Sequence, residues 1–171
     1  FCPIMQYHAE YNSHRVPSRD RTPWNMQEQT GDPRVIEIFR YFNNVRRNLM
    51  PYIWQEAQWS AQTGQPMMRA LRLWDNSQPD YAYYFGRDLL VYPVVQPDMS
   101  EMLIILPDGD WADLWTGQAY QGSCSHVVAT PLNFIPVFVR KSAKIPVVWG
   151  NQHTWGDRVP LTNLPSALLE F

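Results

Sequence analysis

The chain has 171 residues, 45% of them hydrophobic and 18% charged, with a formal net charge of −2. That length can bury a core as one domain or as two small ones. The near-neutral balance leaves no basic surplus to neutralise a polyanion, and the apolar runs are too short to span a bilayer as helices.

Taken in order, "FCPIMQYH" reads as a buried strand that delivers one polar group, His8, to its C-terminal end. Neither an initiator Met nor a charged-then-apolar leader precedes it, so the chain is expected to open inside a larger unit. Residues 9–33 have almost no apolar periodicity and are expected to be a long ordered loop lying against other structure, as loops of that length usually are when functional. At its end Asp32 and Pro33 supply a helix N-cap followed by proline at the first helical position.

The spacing then predicts a helix over 34–63. Val35, Ile38, Phe39, Phe42, Val45, Leu49, Tyr52 and Ile53 recur at i, i+3 and i+4 along one face. Pro51 removes a hydrogen bond and crowds the preceding turn, so a kink is expected near Leu49. Gly64 is the expected stop. One amphipathic helix is not stable alone and must pack on partners.

Beyond Pro66 the texture changes to short β-type runs, such as "DLLVYPVV", "EMLIILP" and "IPVFVRKSAKIPVV", separated by Pro, Gly and Asp. Strands of this length and spacing predict an antiparallel sandwich or barrel, with the join to the first part between Asp80 and Gly86. The tail after Trp149 is weakly patterned and is expected to end in a short strand or a strap.

Few residues announce chemistry. His8, His14, His126 and His153 include no pair at metal-ligand spacing, and neither a glycine-rich phosphate loop nor a nucleophile elbow is present. Cys2 and Cys124 are expected to be small buried thiols rather than a disulfide framework. Asp108 and Asp110 flank Gly109 after Pro107, which predicts a solvated hairpin turn; Asp113 is expected on the outward face of the following strand. His14 and Asp20 read as solvated loop residues.

Several segments in order carry a resemblance: "FCPIMQYHAE", "RTPWN", "RNLMPYIWQEA", "TGQPMMRAL", "FGRDLLVYPV", "LPDGDWADLWTGQAYQG" and "IPVFVRKSAKIP". Over roughly residues 1–148 this series resembles the glycoside hydrolases of family 31, the α-glucosidases, α-xylosidases and their relatives. The resemblance implies an α/β plus all-β architecture, the last β/α unit of a (β/α)8 barrel followed by an antiparallel β-sandwich. Residues 1–80 would be the end of the catalytic barrel and 81–171 the sandwich. It also implies that His8 hydrogen-bonds hydroxyls of the sugar in the −1 subsite, at the C-terminal end of a barrel strand. Arg21 matches the arginine of the family's R-x-P-W segment, where it contacts sugar or holds the loop by salt bridges or by stacking on Trp24.

Retaining enzymes of this kind need a carboxylate nucleophile and a carboxylic acid/base, and the resemblance puts both upstream of Phe1. Two segments imitate them: "LWDN" at 73–76 echoes the nucleophile segment and "WTGQ" at 115–118 the acid/base segment. Both follow the last barrel helix, and the second has Gln118 where an acid is required. The implied protein is thus the C-terminal portion of a retaining α-glycosidase, inactive by itself. Its partners are an α-linked glycoside and the upstream part of the enzyme; neither metal nor cofactor, nucleic acid nor membrane is implied. The alternative is a non-catalytic carbohydrate-binding or structural sandwich, with Trp74, Trp111, Trp115 and Trp149 as an exposed stacking platform.

Overall fold

The computed structural model describes residues 1–5, 21–159 and 166–171. Helix α1 (Pro23–Thr30) lies inside the stretch expected to be a loop. Its ends explain it: Thr22 is the N-cap, its hydroxyl accepting from the Asn25 N–H, Pro23 opens the first turn, and Gly31 closes it at φ 68°. The helix is eight residues long with little apolar face of its own, so periodicity could not reveal it. It is held by packing against the next helix, whose Ile36 N–H reaches the Gln27 side chain at 3.4 Å.

The expected kinked helix is present as α2 (Arg34–Asn48) and α3 (Met50–Thr63). Its N-cap is one residue later than expected: Pro33 stands there and Arg34 opens the helix, with the Asp32 carboxylate just ahead accepting from the Arg34 N–H at 2.9 Å and gripping the Arg34 guanidinium. The break falls at Leu49, but the Leu49 N–H still bonds Val45 O and the Ile53 N–H bonds Leu49 O, so the helix bends rather than ends. Pro51 sits in the first turn of α3, where its missing N–H costs least. Gly64 terminates α3 at φ 73°.

Among the described residues the β-type runs form ten strands, all paired antiparallel: β1 (Met68–Ala70), β2 (Tyr83–Phe85), β3 (Leu89–Val91), β4 (Glu101–Ile105), β5 (Asp110–Asp113), β6 (Ala119–Gln121), β7 (Ser125–Ala129), β8 (Val137–Arg140), β9 (Lys144–Val148) and β10 (Ser166–Glu170). Six of them make one sheet in the order β1-β2-β3-β8-β5-β6, while β4–β7 and β9–β10 are two-stranded. Strand β10 is the expected final strand.

Side-chain alternation sorts the core into two layers. Leu89, Val91, Ala112, Val137 and Val139 point to one side of the large sheet, against Val45, Leu49, Tyr52 and Ile53 of the helices and Ile145 and Val147 of β9. Leu90, Trp111 and Phe138 point to the other, against Ile104, Leu106 and Val128 of the β4–β7 pair. The result is a β-rich sandwich carrying a helical layer on one face.

Two expectations about the aspartates fail here. The turn at Pro107–Asp110 joins β4 to β5, which belong to different sheets, so it is a corner rather than a hairpin. Asp113 is buried, not outward-facing: its Oδ1 accepts from the Trp115 and Thr116 N–H groups and the Thr116 hydroxyl, capping the β5–β6 turn. A carboxylate with three such donors is stable buried, which alternation along a strand cannot show. The two cysteines are free and half-buried rather than fully buried.

Candidate functional site

His8 lies outside the described residues, so the site is built from the elements that flank it. Segment 1–5 is fastened at three points. The Tyr83 hydroxyl donates to Phe1 O at 2.6 Å, the Phe1 ring meets Trp115 edge-on at 5.8 Å, and the Arg46 guanidinium donates to Cys2 O and, at 2.9 Å, to Pro3 O. Arg46 is on α2, so the helix holds the segment by its backbone carbonyls. Beyond these anchors the chain emerges: Ile4 and Met5 are exposed.

Trp115 is the hub of this corner. Tyr41 and Phe42 of α2, Phe134 and Trp155 all approach its ring within about 6 Å. Its indole N–H donates to Ile135 O, and that of Trp155 to Leu114 O, so the rings are oriented as well as packed. Asn48, fully buried at the end of α2, adds polar specificity by donating to Val148 O at 2.9 Å and accepting from the Gly156 N–H at 3.1 Å.

Met5, Pro23, Trp24, Phe39, Asn43 and Arg46 line a concavity of about 430 Å³ where segment 1–5, α1 and α2 meet. Two of the segments singled out in the sequence, through Met5 of the first and Pro23 and Trp24 of the second, therefore border the same surface. Trp24 is 64% exposed and displays its ring there. Arg21 is exposed, one residue ahead of the N-cap. The cation–π pairs among the described residues belong to Arg69, Arg87 and Arg140, and Arg21 over Trp24 is not one of them. Among the described residues the lining contains no carboxylate and offers side chains that stack or pack.

Among the described residues the carboxylates most removed from water are elsewhere and are occupied. Glu56 of α3 is fully buried and receives the Arg87 backbone N–H at 2.9 Å together with a two-nitrogen guanidinium fork, Nε at 3.0 Å and Nη2 at 2.7 Å. Burial first, and the Glu56 charge second, push the Asp88 carboxyl above its ordinary value. Burial likewise raises the Tyr52 phenol far above its usual range, and its hydroxyl donates to Phe85 O at 2.8 Å. Glu56, Arg87 and Tyr52 thus tie α3 to the β2–β3 turn. Each Glu56 oxygen already has its donors, so the network ties elements together and offers no free carboxylate for chemistry.

The imitating segments are also structural. In the first, Asp75 accepts from the Ser77 N–H and hydroxyl and from Gln78, an Asx turn that holds its carboxyl below the usual range. In the second, the Gln118 backbone N–H bonds the Thr116 hydroxyl within the turn capped by Asp113. The stacking platform does not exist as drawn. Trp111 is fully buried with its indole N–H on Pro107 O, Trp149 is buried against Trp155, Trp115 is the aromatic hub, and only Trp74 is well exposed. Among the described residues no group of three or more His, Cys, Asp or Glu could hold a metal ion, and no helix is long and apolar enough to cross a membrane.

Sequence reasoning missed Arg46, Tyr83 and Trp115 as the anchors of segment 1–5. Arg46 and Arg47 are adjacent in the sequence, and only the helix phase shows which one faces the segment.

Residues 64–145, from the end of α3 into β9, match the glycosyl hydrolase family 31 C-terminal domain. The chain is 41% identical over 148 residues to a 1,3-alpha-isomaltosidase of Kribbella flavida, covering 83% of this chain and 20% of the relative. It is 36% identical over 164 residues to an isomaltosyltransferase of Sporosarcina globispora, covering 93% of this chain and 15% of the relative. Among solved structures, the cycloalternan-forming enzyme of Listeria monocytogenes in complex with a pentasaccharide substrate superposes with a TM-score of 0.85 at 34% identity, over 96% of this chain and 16% of that one. The cycloalternan-degrading enzyme of Trueperella pyogenes does so with a TM-score of 0.74 at 38% identity, over 82% and 20%. The chain spans about a fifth of the length of these relatives, or less. Its strand order, its helical layer and these likenesses agree, and the chain belongs to glycoside hydrolase family 31, of which it carries the C-terminal portion.

Proposed function

We propose that the chain is the C-terminal part of a retaining α-glycosidase that acts on terminal α-linked sugars of the α-glucoside or α-xyloside type. The isomaltosidase and isomaltosyltransferase names of two relatives favour α-glucosyl units. In this reading residues 1–80 are the last strand, loop and helix of the (β/α)8 barrel, with β1 reaching across to pair with β2, and 81–171 are the sandwich. The nucleophile and acid/base belong to the upstream part of the enzyme. His8 supplies hydrogen bonds to sugar hydroxyls in the −1 subsite; Arg21 and Trp24 support the site loop.

The observation that carries this reading is the apolar surface left exposed around segment 1–5 and the helices. Ile4 is 80% exposed, Trp24 64% and Trp54 66%, and the first half of the α2 stripe, from Val35 to Phe42, is only half-buried or exposed. That much apolar surface on one side calls for a covering partner, and neighbouring barrel strands and helices are its natural cover. The sandwich, by contrast, closes its own core between the large sheet and β4–β7.

The test is kinetic, in the complete enzyme. His8→Ala is expected to lower kcat/KM about 10- to 1,000-fold, because hydroxyl contacts that tighten at the oxocarbenium-like transition state are lost. The thermal midpoint should move far less than after a core truncation. The 171-residue chain alone should release no aglycone from aryl α-glycosides. A His8→Ala enzyme that unfolds while its folded fraction keeps normal kinetics, or turnover by the chain alone, overturns the proposal.

A further inference from the structure

On the β4–β7 side of the large sheet lies a cleft of about 350 Å³ that the proposed activity does not use. Three guanidinium groups line it, from Arg69 on β1, Arg87 after β2 and Arg140 at the end of β8, with Tyr84, Asp75 and Trp74. Strand register brings them together. Arg69 lies directly opposite Tyr84, and Arg140 directly opposite Trp111, all on one sheet face. Arg69 stacks between Trp59, at 5.2 Å, and Tyr84, at 5.6 Å; Arg87 shares the Trp59 ring at 5.5 Å; Arg140 covers Trp111 at 4.7 Å.

These stacks fix the planar groups; Glu56 neutralises Arg87 and the Asp88 carboxylate lies in the field of Arg140, which among the described residues leaves Arg69 and Arg140 without an ion-pair partner of their own. The ion pairs among the described residues are those of Arg34, Arg72, Arg87 and Lys144, so neither Arg69 nor Arg140 has a carboxylate within ion-pair distance there. Arg69 donates only to neutral carbonyls, Pro66 O and Gly86 O, each at 2.8 Å. Both side chains are half-buried, where charge is screened less than in open water. Each fork has more N–H groups than its partners accept. Like charges clustered and partly desolvated repel one another, and an oxyanion between them would remove that repulsion while accepting the spare donors. The volume exceeds that of a bare phosphate, and Trp74, 65% exposed at the rim, offers a flat apolar face for whatever carries the anion.

We propose that this cleft binds a small organic oxyanion, a phosphate-, sulfonate- or carboxylate-bearing ring of about monosaccharide size, with the anion on Arg140 and Arg69 and the ring against Trp74. Asp75 at the edge opposes binding and keeps affinity modest, since a like charge lies close to the anion. The site is independent of the glycosidase reading and is tested without an activity assay.

Isothermal titration of the full chain, or of the longer protein that contains it, uses inorganic phosphate and glucose 6-phosphate as probes. Chloride at matched ionic strength and isomaltose are the controls. Both phosphates are expected to bind saturably in about the millimolar range, glucose 6-phosphate more tightly. Arg140→Gln should weaken binding about 10-fold or more, and Asp75→Asn should strengthen it several-fold, about what a changed neighbouring charge delivers near a protein surface. The opposite signs separate a site from damage, because an unfolded variant cannot bind better. Binding of isomaltose but not phosphate overturns the proposal, as does a phosphate response that Arg140→Gln leaves unchanged.

Discussion

Two glycines with nearly the same backbone angle offer a controlled measurement of how tightly α3 is seated on the sheet. Gly86 has φ +68° and Gly64 φ +73°, in the left-handed region that L side chains avoid. Alanine at either position pays the same conformational cost, about 1–2 kcal/mol. Around Gly64 an added Cβ meets nothing within 4 Å, so that cost is the whole effect. At Gly86 the Cβ would fall on the Tyr52 hydroxyl and within 2.6 Å of Glu56 Cγ. Tyr52 must then leave its hydrogen bond to Phe85 O, at about 1–3 kcal/mol for an unsatisfied buried group, and the close-packed neighbours must shift at about 1–3 kcal/mol more. Gly86→Ala is therefore expected to cost about 3–8 kcal/mol and Gly64→Ala about 1–2 kcal/mol. Urea unfolding followed by tryptophan fluorescence reads the difference. With a slope of about 1–3 kcal/mol per molar urea, the two midpoints should differ by about 1 M or more. Equal midpoints would refute the picture of Tyr52 and Glu56 pressed against the β2–β3 turn.

The Glu56–Arg87 tie gives a second stability test. Arg87→Met leaves the fully buried Glu56 without its fork and should cost about 3–5 kcal/mol, most of it recovered in the Glu56→Leu, Arg87→Met double variant; a double variant no better than the single one would contradict this. Asp32 titrates unusually because the Arg34 guanidinium, and then its backbone N–H, hold the carboxyl down to about 2. Its contribution to the start of α2 is thus present above the ordinary carboxylate range and is lost as pH falls toward 2, a midpoint that carboxyl NMR reads directly. Arg34→Gln should return the midpoint toward the usual value, and a wild-type midpoint near 4 would mean that the pair does not persist in solution.

The sequence by itself determined the local features whose causes are local. The bend at Leu49 follows from Pro51, the end of α3 from Gly64, and the start of α2, to within one residue, from Asp32 and Pro33, because each is a backbone property of one or two residues. The antiparallel β texture after Pro66 was legible for the same reason, and the ordered family segments were enough to name the relationship. Tertiary structure decided the rest. Helix α1 is too short for periodicity and exists because Thr22 and Gly31 cap it and α2 supports it. Asp113 turned inward because three donors of one turn converge on it, and Trp111 and Trp149 are core because the sheets close over them. Arg46 grips segment 1–5 although nothing in its neighbourhood distinguishes it from Arg47. The arginine cleft draws its members from β1, the β2–β3 turn and the end of β8, residues 69, 87 and 140. Only strand pairing brings them together, since their spacing along the chain carries no period that a reader could recognise.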